Sequence, residues 1–156
     1  MSVNSGDNAW LLTSSALVML MTPGLALFYG GMVRRKNTLS TIMMSFMTLG
    51  LIGILWVLYG YSLSFGKDLG GIIGGFNYVG LNNVGQIPSE IYATTVPHLT
   101  FMTYQGMFAV ISVALITGAV VERMKFSAIL IFSTIWFTIV YCPVAHWVWG
   151  ADGWRK

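Results

Sequence analysis

Tyr104 and Phe108 stand four residues apart in the run TYQGMFAV, a spacing that places both rings on one face of a helix. Gln105 and Gly106 between them bring polarity and a point of close backbone approach. Trp149 ends a later apolar run. Rings of this kind support cation chemistry. An aromatic face attracts a small cation by roughly 0.5–2 kcal/mol, enough to retain an ammonium-sized ion while it loses water. It does not replace a whole hydration shell, whose effective cost is several kcal/mol per ion. Spacing alone leaves a second reading open, because aromatics at helix entrances are also ordinary interfacial anchors.

His146, three residues before Trp149, reads either as a proton acceptor or as a hydrogen-bonded structural histidine near an interface. His98, beside Pro97, is a weaker candidate. Glu122 and Arg123 read most simply as a helix-end pair, with turn fixing as the alternative, and Asp7 and Asp152 as solvated carboxylates near the termini. The single cysteine, Cys142, excludes an internal disulfide and a cysteine-based metal cluster, and its apolar neighbours predict an inert packed thiol. There is no Walker loop, dinucleotide fingerprint, HExxH helix or nucleophile elbow, and the carboxylates are scattered. No catalytic residue, cofactor or metal site is expected, and the chain does not read as an enzyme.

The elements that must carry these residues follow from composition. Of 156 residues 56% are hydrophobic and only 8% charged, with a mean hydropathy of +0.74. A water-soluble domain typically carries about 25% charged residues, so the chain reads as an all-α membrane protein in contact with a lipid bilayer. The net charge of +3 sits at the ends of apolar runs rather than in a patch, which argues for topology and against nucleic acid.

Four spans are expected, over about residues 9–33, 39–65, 98–122 and 126–149, each long enough at about 1.5 Å per residue to cross a core of roughly 30 Å. The N-terminus lacks a basic leader segment, so no cleaved signal is expected. In the first span Pro23-Gly24 predicts a kink, and Ala26 with Gly30 offers a small-residue contact. Trp56, Tyr59 and Tyr61 in the second suit a membrane interface. Residues 66–97 read as an external loop with a short interfacial helix, either shaping a vestibule or subunit contact or simply tolerated. Arg34, Arg35, Lys36, Arg123 and Lys125 fall on one side, against Lys67, Arg155 and Lys156 on the other. By the positive-inside rule both termini are then extracytoplasmic.

The segments TPGLALFYGGMVRRKN, LWVLYGYSLSFG, YQGMFA, GAVVERMKFSA and PVAHWVWG occur in this order from about residue 8 to 150. Together they resemble the ammonium transporter family of Amt, Mep and Rh proteins. The resemblance implies a homotrimer in the cell membrane, each subunit having eleven helices. Ten of these form two inverted five-helix repeats around a narrow hydrophobic pore. It further implies recruitment of ammonium by a tryptophan, a phenylalanine and a serine, then loss of a proton and passage by stacked aromatic rings towards two pore histidines. A cytoplasmic regulatory protein is a further expected partner. Residue by residue, the recruiting phenylalanine matches Phe108, the recruiting tryptophan Trp149 and the first gate ring Tyr104, where the family often has phenylalanine.

The family's recruiting serine, second gate ring, aspartate and two pore histidines have no counterpart among these residues. His146 belongs to the PVAHWVW segment and is not a pore histidine, nor is Asp152 the missing aspartate. The expectation is the N-terminal, four-helix part of an ammonium transporter, supplying the external recruitment site and part of the gate. The alternatives are the ammonium-sensing Amt-like domain of a signalling protein and a truncated, non-transporting fragment.

Overall fold

The computed structural model describes residues 2–154. Four long helices account for most of them: α1 (Ser5–Met32), α2 (Arg35–Phe65), α3 (His98–Val120) and α4 (Phe126–Trp149). The side chain of Asn4 caps α1, its Oδ1 accepting from the Gly6 and Asp7 amides at 2.9 and 3.3 Å, so the helix begins at Ser5 rather than near Ala9. Asp7 in the first turn faces the positive end of the helix dipole. Pro23 lies inside one continuous helix; neighbouring helices and local adjustment make such a position tolerable in lipid.

In a bilayer no hydrophobic force drives helices together, so association rests on close packing and on buried hydrogen bonds. Residues Ser15, Thr22, Ala26 and Gly30 form the buried face of α1, and all four are small. Its opposite face exposes Leu17, Leu20, Leu27 and Phe28. A Cβ on Gly30 would lie 2.8 Å from Ile42 of α2, and one on Gly118 of α3 would run into the Tyr29 ring. The Tyr29 hydroxyl donates to the Leu115 carbonyl at 3.1 Å, which fixes that ring against α3. Ser45 and Thr117 join α2 to α3 through a buried hydroxyl pair at 3.0 Å.

Each of α2 and α4 contains one π-helical turn, at Trp56–Gly60 and Phe137–Tyr141. The two turns meet: Tyr59 and Thr138 share a hydroxyl hydrogen bond of 2.8 Å, and the Phe137 ring fills the space a Cβ on Gly60 would need. Trp56 is 2% exposed and Tyr61 0%, so neither is an interfacial anchor. The rings of Tyr61, Phe65, Phe137 and Tyr141 surround the indole at centroid distances of 5.7 to 6.4 Å. The expected aromatic belt is therefore, at these two positions, the centre of the core.

At one end of the bundle the turns α1–α2 and α3–α4 are latched. Glu122, in a left-handed conformation (φ 61°), accepts from the Arg34 amide at 3.2 Å and from Asn37 Nδ2 at 2.7 Å. Fixing a turn is thus its observed role, and it forms no ion pair with Arg123. At the other end, residues 66–97 contain no interfacial helix of the expected kind. They form two small antiparallel hairpins, β1 (Asp68–Leu69) with β2 (Ile73–Gly74) and β3 (Pro88–Ser89) with β4 (Ala93–Pro97), separated by a single 3-10 turn at Val79–Leu81. Gly70 and Gly71, at φ 71° and 77°, make the first hairpin turn, a conformation that side chains resist.

This loop is stitched to the helix ends. Ser62 Oγ donates to the Gly75 carbonyl at 2.8 Å and accepts from the Tyr78 amide at 2.9 Å. The Tyr92 hydroxyl donates to the Phe65 carbonyl and accepts from the Ala151 amide, at 2.8 and 3.1 Å. The Asn4 amide donates to the Thr95 carbonyl at 2.8 Å. The start of α1, the end of α4 and the hairpins therefore share one end of the bundle, opposite the basic turns.

Candidate functional site

Tyr104 and Phe108 project from one face of α3 and are each half-buried. Their ring centroids lie 5.0 Å apart at 76°, an edge-to-face pair, a geometry aromatic quadrupoles favour by about 0.5–1.5 kcal/mol. At about 1.5 Å per residue Tyr104 lies roughly 9 Å, and Phe108 roughly 15 Å, along α3 from His98. Trp149 is the last residue of α4, 47% exposed, at the end of the bundle where α3 begins. The structure therefore brings Tyr104 and Phe108 together and sets Trp149 at the rim, outside ring contact with either among the described residues.

Gly106 faces away from this pair. A Cβ there would lie 2.8 Å from Cδ1 and 2.9 Å from Nε1 of Trp56, whose Nε1 donates to the Met102 carbonyl at 3.1 Å. The close approach expected at Gly106 is thus with an indole from α2 and not across a conduit. Trp56 supports the face of α3 opposite the Tyr104–Phe108 pair, a role that its position in the sequence does not reveal.

His146 is 1% exposed and fully engaged: Nδ1 lies 3.1 Å from the Ser64 carbonyl oxygen and Nε2 3.0 Å from Asp68 Oδ1. It is a structural histidine in this chain, with no nitrogen left for a proton acceptor's work. Asp68 also accepts from the Gly71 amide at 2.9 and 3.0 Å. The His146 hydrogen bond first, and the Gly71 amide second, hold its carboxyl below the usual carboxylate range. At the other end of the bundle, the Asn37 amide and the Arg34 backbone N–H likewise hold the Glu122 carboxyl low. His98 is buried at the first turn of α3, its Nε2 hydrogen-bonded to the Tyr61 hydroxyl and its ring edge-on to Tyr78. Cys142 is fully buried, with Sγ 3.9 Å from the Gly60 carbonyl.

The order of helices, the basic turns and the aromatic end can be set beside known proteins. Residues 9–156 match the model of the Ammonium Transporter Family. The chain belongs to that family. It is 53% identical over 151 residues to a putative ammonium transporter of Methanothermobacter thermautotrophicus, covering 96% of this chain and 37% of that protein. An ammonium transporter of Bacillus subtilis is 52% identical over 149 residues, covering 96% of this chain and 36% of the relative. The crystal structure of Candida albicans Mep2 superposes with a TM-score of 0.87 at 38% identity, over 97% of this chain and 33% of that one. A sensor Amt protein, at a TM-score of 0.81 and 23% identity, shares the fold. The chain spans about a third of the length of these relatives. It is an all-α, multi-pass membrane protein with the fold of the first part of that transporter.

Proposed function

We propose that this chain is the N-terminal part of an ammonium transporter and supplies its extracytoplasmic entrance, with Trp149 and Phe108 contacting the cation and Tyr104 contributing a gate ring. The Tyr104–Phe108 edge-to-face pair, at 5.0 Å on a half-buried face of α3, carries the reading. Its support is that the pair lies in the half of α3 nearer the hairpins, the end that the basic turns at Arg34–Lys36 and Arg123–Lys125 on the far side mark as the outer one. An ion arriving there meets Trp149 at the rim and then the aromatic surface shared by Tyr104 and Phe108. Because the two α3 rings pack edge-to-face, cation contact at Phe108 and gating at Tyr104 share one aromatic surface. The complete transporter is proposed to act as a homotrimer in the cell membrane, with both ends of this segment extracytoplasmic and a cytoplasmic regulatory protein as partner.

The test is ammonium uptake by the full-length protein in proteoliposomes. Trp149→Leu and Phe108→Ala are each expected to raise the apparent KM for ammonium about two- to thirtyfold, the range that loss of one cation–π contact of roughly 0.5–2 kcal/mol implies. Unchanged affinity and unchanged selectivity over sodium in both variants would remove these residues from the entrance.

A further inference from the structure

Trp149 sits where α4 ends, and a helix end half-exposed at a rim would ordinarily fray. Here the last turn is held from the side. His146, one turn earlier, bridges the Ser64 carbonyl at the end of α2 and the carboxylate of Asp68 in β1. Trp147 Nε1 donates to the Ile72 carbonyl of the same hairpin at 2.7 Å. Beyond Trp149 the chain folds back over His146. The Gly150 amide donates to the His146 carbonyl at 2.9 Å, and a Cβ on Gly150 would lie 2.5 Å from that oxygen and 2.8 Å from Nδ1 of the ring. Gly153 packs as tightly, its Cβ position 2.6 Å from the His146 carbonyl oxygen. The chain on both sides of Trp149 thus packs against His146, through its ring and its carbonyl.

We propose that His146 and Asp68 are positioning residues for Trp149: the Gly70-Gly71 turn orients the Asp68 carboxylate, the carboxylate and the Ser64 carbonyl orient the imidazole, and the imidazole fixes the turn that presents the indole. The inference rests on the proposed role of Trp149. The two partners of the ring, the Ser64 carbonyl oxygen and the Asp68 carboxylate, approach opposite nitrogens at 3.1 and 3.0 Å and so set its orientation. The other titratable groups on the segments around the ring are Lys67, Tyr61, Cys142, Tyr92 and Asp152, and among the described residues Asp68 alone bonds the imidazole through its side chain. Asparagine at position 68 has the shape of aspartate and can hydrogen-bond Nε2 through its amide, so it keeps the geometry while removing the carboxylate charge. Alanine removes both.

The experiment is ammonium uptake by the full-length protein carrying Asp68→Ala, Asp68→Asn, Trp149→Leu and the double variant Asp68→Ala/Trp149→Leu. Asp68→Ala is expected to raise apparent KM about three- to tenfold with maximal rate within about twofold, and Asp68→Asn to stay within about twofold of wild type in both. The double variant is expected to match Trp149→Leu alone, because Asp68 acts through the indole. An additive double variant, or an Asp68→Asn as impaired as Asp68→Ala, would instead mean that the carboxylate attracts the cation directly and would overturn the positioning role. Loss of folded protein in both single Asp68 variants would overturn it as well, making the pair a folding determinant. A Trp149→Leu with unchanged KM refutes the entrance reading itself. A raised KM in Trp149→Leu with none in Asp68→Ala refutes only the present inference.

Discussion

Gly106 allows the packing beneath the candidate site to be tested with one methyl group. In Gly106→Ala the new Cβ would stand 2.8 Å from Cδ1 of Trp56, about 0.6 Å inside the 3.4 Å at which ordinary contact begins. The indole has nowhere to retreat: it is 2% exposed, flanked edge-on by four aromatic rings, and tied through Nε1 to the Met102 carbonyl. The strain must then move α3 or break ring contacts, and overpacking of this kind costs typically 1–3 kcal/mol. That should lower the thermal midpoint of the detergent-solubilised full-length protein by a few degrees. Trp56→Phe removes the crowded edge, and the Met102 carbonyl it releases retains its place in the helical ladder of α3. Trp56→Phe should therefore be destabilising alone but partly compensating in the Gly106→Ala background, with a coupling of about 1 kcal/mol between the two substitutions. Melting of Gly106→Ala at the wild-type temperature, or strict additivity in the cycle, would show that the indole does not occupy this site.

The other expectations concern the two ends of the bundle and the core. Asp68 has its folded-state pKa below its unfolded value, so its contribution to stability is present above the unfolded value of about 3.9 and disappears as pH falls through the folded one. Thermal melts of wild type and Asp68→Asn should diverge most above about pH 4 and converge in stronger acid; a constant difference across that window would show that ionised Asp68 has no net partner in the fold. Glu122→Ala removes both acceptor contacts of the basic turns, and limited proteolysis between Arg34 and Lys36 should accelerate relative to wild type and Glu122→Gln, with equal rates counting against the latch. Cys142 should resist maleimide in the folded protein and react on denaturation, since it is fully buried among apolar neighbours.

What sequence could and could not convey follows from the range of the interactions involved. A span in lipid is a local property, set by some twenty contiguous apolar residues, and the four helices are legible for that reason. The side on which a ring packs is not local. Trp56 and Tyr61 lie near the end of an apolar run just as interfacial anchors do, yet both are buried, because hydropathy scores an indole against lipid and an indole against Phe137 alike. Gly106 supplied half of the missing signal, a place where α3 must admit something close, but naming the intruder required the tertiary fold. The loop offers the same lesson in a different form: Asp68 followed by Gly70-Gly71 is a turn signature that favours a hairpin over an interfacial helix. That hairpin gains its importance only by meeting His146, 78 residues later in the chain. The aromatic pair of Tyr104 and Phe108 could be found by counting along α3, whereas the apparatus that presents Trp149 is assembled from three separate segments. The candidate entrance accordingly has two kinds of parts: rings read from helical periodicity, and a polar frame fixed by contacts that only the folded bundle creates.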